Sequence, residues 1–391
     1  MRRWKVTFTA QPPWRWGVIG LYAATSVGVV LQRGVLGPQH SVFKIFRQSF
    51  WHLAAGRNLY TPYPAEQGGL PADLFKYSPT AALLFAPFAA LPYGVGLMAW
   101  SLLGALLLYR ALTLVLDPRP AILASLLVYP DLLASLQACS SNAQVAALVI
   151  LAYAALERRK HLRGCVAIVC GAAMKIFPFA ALTFALFHPR RWRFALICAG
   201  VTVVAFVLPL LVTTPRLLVA QYRWWYALEH SDALDLAFGL SAMSLVRHWF
   251  GGDWPNWPVQ LVGTLALLLP LAVHRERWGD TEFRVGYLAS LLGYAVLFNH
   301  QAERSSFVIA SAGVAIWCVS APRGTTAPLA RGLLGAMALL GLKTAPLLVV
   351  WLVMQAELYG WRFSTTAAAD AVADPKALAV PLRRATSEGG S

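Results

Sequence analysis

Apolar runs separated by short polar breaks fill almost the whole chain. They fall near residues 15–32, 94–113, 120–137, 143–156, 194–213, 257–274, 284–298, 305–320 and 331–355. A helix needs roughly 20 residues to cross about 30 Å of hydrocarbon, and most of these runs supply them. The shortest, 143–156, manages it only with help from its flanks. The runs are continuous and show no period of two, so helices rather than a barrel are predicted. The expected fold class is all-α: one polytopic transmembrane bundle over residues 1–360, with about nine or ten spans plus re-entrant half-helices, then a disordered tail over 361–391. The count of spans places that tail on the outer side.

The polar positions carry as much information. A long loop, 33–78, follows the first run, and a second, 214–256, lies further on. A single large loop between the first two spans is uncommon in transporters and usual in enzymes that take a sugar from a lipid carrier. Within the first loop, Phe43, Phe46, Phe50 and Leu53 recur at helical spacing, with Lys44, Arg47 and Gln48 on another face. This predicts an amphipathic helix that either lies in the membrane interface or packs on the bundle as a lid. Residues 79–92 carry Pro79, Pro87 and Pro92 and read as a short dipping helix, with Pro79 in its first turn. The stretch 164–187 lies between Arg163 and Arg190, with Lys175 and Pro178 near its middle. As one span it would send the basic cluster Arg190, Arg191 and Arg193 outside, so two half-helices meeting at Lys175 are expected instead. A second Lys-x-x-Pro, from Lys343 to Pro346, interrupts the last run.

Charge and composition sharpen this picture. The chain is 58% hydrophobic and only 13% charged, against about 25% charged residues in a soluble domain. Its formal net charge is +16, but the basic residues cluster in short loops, at Arg158 to Arg163, Arg190 to Arg193 and Arg275 to Arg284. That is the positive-inside pattern, not a nucleic-acid footprint. It implies contact with anionic membrane lipids, no nucleic-acid partner, and a multi-pass protein of the plasma (inner) membrane with both long loops outside or in the periplasm. The amino terminus has basic residues before its first run and no small-residue cleavage site, so a retained anchor is expected. Five cysteines without a C-x-x-C pair read as small apolar side chains. The sequence contains no phosphate-binding, dinucleotide-binding or zinc-protease motif, which leaves nucleotide-driven transport unsupported.

Candidate chemistry follows from ionisable residues in apolar surroundings. Lys175, near mid-segment, suits a lipid phosphate; a charge placed there costs roughly 3 kcal/mol on insertion scales and so marks function. Asn299 to Arg304 forms a polar knot in which Glu303 suits a general base, His300 a base or phosphate ligand, and Arg304 a counter-charge. The second outer loop sets Gln221, Tyr222 and Trp225 near Glu229, His230, Asp232 and Asp235, an aromatic and acidic mixture suited to sugars. Asn142, with Ser140 and Ser141, makes another polar turn.

The order and spacing of several short motifs resemble glycosyltransferase family 87. They are Gly56-Arg57-Asn58-Leu59-Tyr60, Phe75-Lys76-Tyr77-Ser78-Pro79, Leu91-Pro92, Ser141-Asn142, Lys175-Ile176-Phe177, Gln221-Tyr222, and Asn299-His300 with Glu303. The resemblance spans roughly residues 15–355 and implies a GT-C membrane fold. It also implies transfer of a hexose, mannose-like, from a polyprenol-phosphate sugar donor to a lipid or glycan acceptor of the cell envelope. On that basis Glu303 and then Asp232 are the candidate catalytic residues. Lys175, His300, Arg304, Asn142, Gln221, Tyr222, Trp225, Tyr60 and Tyr77 are the candidate substrate contacts. No cofactor is implied, and a divalent cation between acid and phosphate stays open. Family members of the mannosyltransferase type carry a catalytic aspartate just before the amphipathic helix. Here that stretch reads Gln39-His40-Ser41, so Glu66, Asp73, Asp232 or Glu303 supplies the base, or the chemistry is lost or changed. A lipid-linked glycan carrier or flippase, and an inactive assembly scaffold, are the alternatives.

Overall fold

The computed structural model describes residues 13–36, 42–63, 74–234, 239–321, 327–340 and 344–362. The candidates Glu66, Asp73, Asp235 and Lys343, the stretch Gln39 to Ser41, and the tail beyond Arg362 lie outside these residues. The described part is all-α. In chain order the helices are α1 (Arg15–Val30), α2 (Val42–Ala54), α3 (Pro79–Leu84), α4 (Ala86–Ala89), α5 (Tyr93–Val115), α6 (Pro118–Gln137), α7 (Asn142–Glu157) and α8 (His161–Met174). A 3₁₀ segment, Phe177–Phe187, separates these from α9 (Arg191–Val207), α10 (Pro215–Leu234), α11 (Ala242–Phe250) and α12 (Trp257–Val273). The described chain ends with α13 (Thr281–Leu297), α14 (Phe307–Val319), α15 (Ala327–Leu340) and α16 (Thr344–Leu358).

The apolar helices make this a membrane protein, and most of those described are shorter than a full bilayer crossing. Among the described residues 3 helical stretches are long and apolar enough to cross a bilayer: Tyr93–Val115, Pro118–Gln137 and Arg191–Leu211. The other apolar helices are shorter, 10–17 residues each. A helix rises about 1.5 Å per residue, so the 14 residues of α8 reach only about 21 Å. Short helices are workable here because α7 and α14 lie inside the bundle, buried on nearly all sides, where neighbours rather than lipid surround them. By contrast α9 buries only Phe194 and Cys198 and leaves Leu196, Val203 and Val207 exposed, as a lipid-facing helix does.

The expected break at Lys175 is present and has a local cause. Lys175 is extended (φ −149°, ψ 134°), and Pro178 lies in the first turn of the 3₁₀ segment, where its missing N–H costs nothing. Gly171 lets the two arms fold together, since a Cβ there would stand 3.1 Å from the Pro178 ring. The returning arm ends at His188, whose ring lies 3.8 Å from Glu157, and Glu157 makes a two-pronged ion pair with Arg284 at 2.9 and 3.0 Å. These contacts gather the basic loops on one face of the molecule.

The last apolar run turns back as well, and this corrects the expected position of its far end. It is a hairpin of α15 and α16, with Pro346 in the first turn of α16. Arg331 of α15 holds Glu357 of α16 through two hydrogen bonds of 3.0 and 2.8 Å. Arg277 in the basic loop caps the end of α16 by donating to the Leu358 carbonyl at 2.6 Å. The end of α16 therefore lies on the basic face, whereas the count of spans puts it opposite.

On the other face, α2 packs as a lid. Phe43 and Phe46 are buried against Phe85, Tyr93, Tyr77 and Trp100, so the apolar stripe is spent on protein rather than on lipid. Ser78 caps α3 by accepting from the Ala81 N–H, with Pro79 in the first turn as expected. The Ser78 hydroxyl also donates to the Ala173 carbonyl at 2.9 Å, tying the first long loop to the broken helix. The 214–256 region contains α10, which meets α3 through the Tyr222 and Thr80 hydroxyls at 3.3 Å.

Candidate active site

Helices α8 and α13 both start at basic loops, and a cavity of about 470 Å³ opens at their other ends. Its walls come from the start of α2, the 74–77 strip, the break after α8, α10, and the loop between α13 and α14. Among the described residues, four charged side chains line it: Lys76, Lys175, Glu229 and Glu303. Lys175 reaches the cavity because the helix breaks there, and Glu303 and Glu229 are the negative charges that act on it.

Helix α10 sets the opposing wall. Gln221, Trp225, Glu229 and Asp232 follow one another at spacings of three and four and so share a face. The Trp225 indole N–H is shared between Glu229 Oε1 at 3.1 Å and the Lys76 carbonyl at 3.4 Å. Burial pushes the Glu229 carboxyl above the usual carboxylate range. The Trp225 hydrogen bond works against that, and the negative charge of Asp232 adds to it. Asp232 itself is occupied. Its Oδ2 receives Lys76 Nζ at 2.9 Å and the Gln301 amide at 2.9 Å. His300 Nε2 donates to the Asp232 backbone carbonyl at 2.9 Å, which places the ring proton on Nε2.

The remaining wall carries Asn142, whose amide donates to Ser305 at 3.0 Å and to Ser140 at 3.1 Å. Its Oδ1 is buried without a hydrogen-bond partner among the described residues. Ser305 in turn donates to Glu303 at 3.5 Å, and Glu303 stands at the exposed mouth.

Of the residues singled out from sequence, Glu303, Lys175, His300, Asn142, Trp225 and Tyr77 line this cavity. The others are placed differently. Asp232 stands behind Lys76 rather than in the wall. Arg304 is exposed on the adjoining turn and does not line the cavity. Gln221 is a brace, accepting from the Leu59 N–H at 3.2 Å and donating to the Arg57 carbonyl at 2.6 Å. Tyr60 donates to the Tyr77 carbonyl at 2.9 Å and so supports the wall from behind. Tyr222 stacks on Phe206 and borders a small apolar pocket of about 130 Å³, which shares Trp225 and Ile176 with the main cavity. The sequence presents Glu229 only as one acid of a sugar-suited mixture and Lys76 only within a motif, without assigning either a role. The helical spacing from Gln221 to Asp232 is the available signal for Glu229.

A second cavity, about 320 Å³, lies on the basic face beside Arg277, Arg331, Glu282 and Glu357. Two of its ion pairs are Arg331 to Glu357 at 2.8 Å and Glu282 to Arg362 at 3.0 Å. Among the described residues no group of His, Cys, Asp and Glu is placed to hold a metal ion.

An all-helical membrane protein with acids, lysines and aromatics gathered in one pocket at a helix break has the parts for group transfer at a membrane surface. The model of glycosyltransferase family 87 matches residues 75–299, and the chain belongs to that family. The match runs from the cavity's Lys76 strip to Asn299. No curated protein matches the chain.

Proposed function

We propose that this protein is a GT-C glycosyltransferase that moves a hexose from a polyprenol-phosphate donor to a lipid or glycan acceptor of the cell envelope. The reaction takes place in the cavity opposite the basic loops and therefore on the outer side of the membrane. The observation that carries this reading is the meeting of Glu229 and Glu303 with Lys175 in one cavity, where a lysine interrupts apolar helix. The lysine suits the phosphate that leaves, and the carboxylates suit the hydroxyl that attacks.

In this mechanism the acceptor hydroxyl loses its proton to Glu229 as its oxygen bonds to the anomeric carbon. The bond from that carbon to the phosphate oxygen breaks, and its electron pair leaves with the polyprenyl phosphate. Lys175 and the His300 region stabilise the charge that gathers there. Glu229 suits the base role because burial raises its proton affinity toward the working pH. Glu303, at the mouth, orients the acceptor. Val42 and Phe46 at the start of α2 also line the cavity. The end of α2 beside which related mannosyltransferases carry their aspartate thus borders the same space, and α10 supplies an acid from across it.

The test is transfer by purified protein in lipid, using labelled polyprenol-phosphate sugars and envelope lipid acceptors. Label should enter a new glycolipid and vanish in Glu229→Gln while donor binding persists. Donor bound but never transferred across the panel would point instead to a carrier or scaffold.

A further inference from the structure

Lys76 is a cavity cation that the mechanism above does not employ. It lies in the wall with its side chain 33% exposed, while its partner Asp232 stands behind it at 13%. The pair is lopsided in another way. Asp232 is held from other directions, by the Gln301 amide on Oδ2 and by His300 on its backbone carbonyl. Lys76 has a flexible stem and three donors on its ammonium. If the pair parts, the lysine is the member free to move and the acid is the member that stays.

Resting on the donor assignment above, we infer that Lys76 is a second phosphate-binding lysine of the cavity and that Asp232 is its resident counter-ion, exchanged for the phosphate when ligand binds. No covalent bond changes in this step; one ion partner replaces another. The polyprenyl phosphate that leaves is a monoester with up to two negative charges and three acceptor oxygens, whereas a carboxylate and the phosphodiester of the donor each carry one charge. The monoester therefore attracts the ammonium more strongly at equal distance. Asp232 keeps the Gln301 hydrogen bond after the exchange. The carboxylate's role is to hold Lys76 at the cavity wall and to cancel its charge while the site is empty. Lys76 comes from the end of the first long loop and Lys175 from the helix break, so phosphate binding would join two parts of the chain. Arg304, exposed and outside the wall, is not needed for the charge balance.

The experiment measures binding of polyprenyl monophosphate to the full-length protein in lipid nanodiscs, with polyprenol and inorganic phosphate as parallel probes. Lys76→Ala should weaken polyprenyl monophosphate binding by about tenfold or more, and Lys76→Arg by less. Asp232→Asn should tighten it several-fold, because the competing charge is gone while the amide oxygen still accepts from Gln301. Polyprenol binding should respond to neither change. Opposite signs for the two charge removals are the signature of exchange. An ion pair that merely braces the fold would lose binding in parallel with both, and that result overturns the inference, as does Lys76→Ala binding like the parent. Thermal unfolding of each variant separates lost binding from lost fold. A parent protein that binds no phosphate probe overturns the donor reading and this inference together. Parent binding that no variant alters overturns this inference alone. Inorganic phosphate bound as tightly as the lipid, with the same Lys76 dependence, would keep Lys76 as the ligand and make free phosphate its source.

Discussion

Glu229 and Asp232 sit one helical turn apart on α10, and their surroundings assign them different work. Asp232 is tied by Lys76 and Gln301, so its charge is already used. Glu229 is half-buried and accepts from an indole N–H. Removing a general base costs roughly 10² to 10⁴ in rate. Glu229→Gln should accordingly lower turnover by at least about a hundredfold with donor affinity kept, read from single-turnover transfer against equilibrium binding. The pH profile follows from the same group. A base must be unprotonated, and burial holds the proton on Glu229 to a higher pH than an ordinary glutamate. The acid limb of kcat/KM should therefore lie above the usual carboxylate value of about 4.3, with rate falling about tenfold per unit below it. A limb that stays put in Glu303→Gln, and that disappears from the residual activity of Glu229→Gln, would assign it. These roles are only partly legible in the sequence. Lys175 stands out there because charges in apolar runs are rare and Glu303 because a turn between two runs is densely polar, whereas Asp232 looks equally reactive until its ion pair is known.

Among the helices, the site depends on close packing. Gly313 of α14 faces α13 so tightly that a Cβ would meet the Ala289 carbonyl at 2.5 Å and Leu292 Cβ at 2.9 Å. Small residues let helices approach this way inside a membrane. Neither obstacle is the end of a flexible side chain, so Gly313→Ala must push the two helices apart. Overpacking of this kind costs about 1–3 kcal/mol, which should lower the unfolding midpoint in detergent. Transfer should fall too, because the polar loop between those helices carries His300, Glu303 and Ser305. Gly332, with nothing within 4 Å, is the control, and Gly332→Ala should leave stability unchanged or slightly raised. The re-entrant pair at Lys175 is readable from charge, since Arg190 to Arg193 must return to the basic side. The hairpin in the last run is not. No basic cluster marks its end, and only the lysine and proline near its centre hint at a turn.

Across the whole molecule, one face collects the basic loops and the other the cavity. The end of α16 lies with the basic loops through Arg277 and the Arg362–Glu282 pair at 3.0 Å. A membrane-impermeant thiol reagent should therefore label Arg362→Cys and Arg275→Cys from the same side, and Arg223→Cys on α10 from the other. Labelling of Arg362→Cys together with Arg223→Cys would reverse the α15–α16 hairpin.

The helical class, the membrane setting, the break at Lys175 and the family are all readable from the chain alone. Each depends on properties that are local or summed along it: apolar length, charge in short loops, a lysine before a proline, and motifs in order. Which acids are free is set only by packing in three dimensions. Whether a carboxylate is neutralised depends on residues such as Lys76 and Gln301, far from α10 in the chain and adjacent to it in space. The same holds for the lid. The apolar stripe of α2 suits lipid and protein equally, and it packs on the bundle because the aromatic cluster of Phe85, Tyr93 and Trp100 lies beneath it.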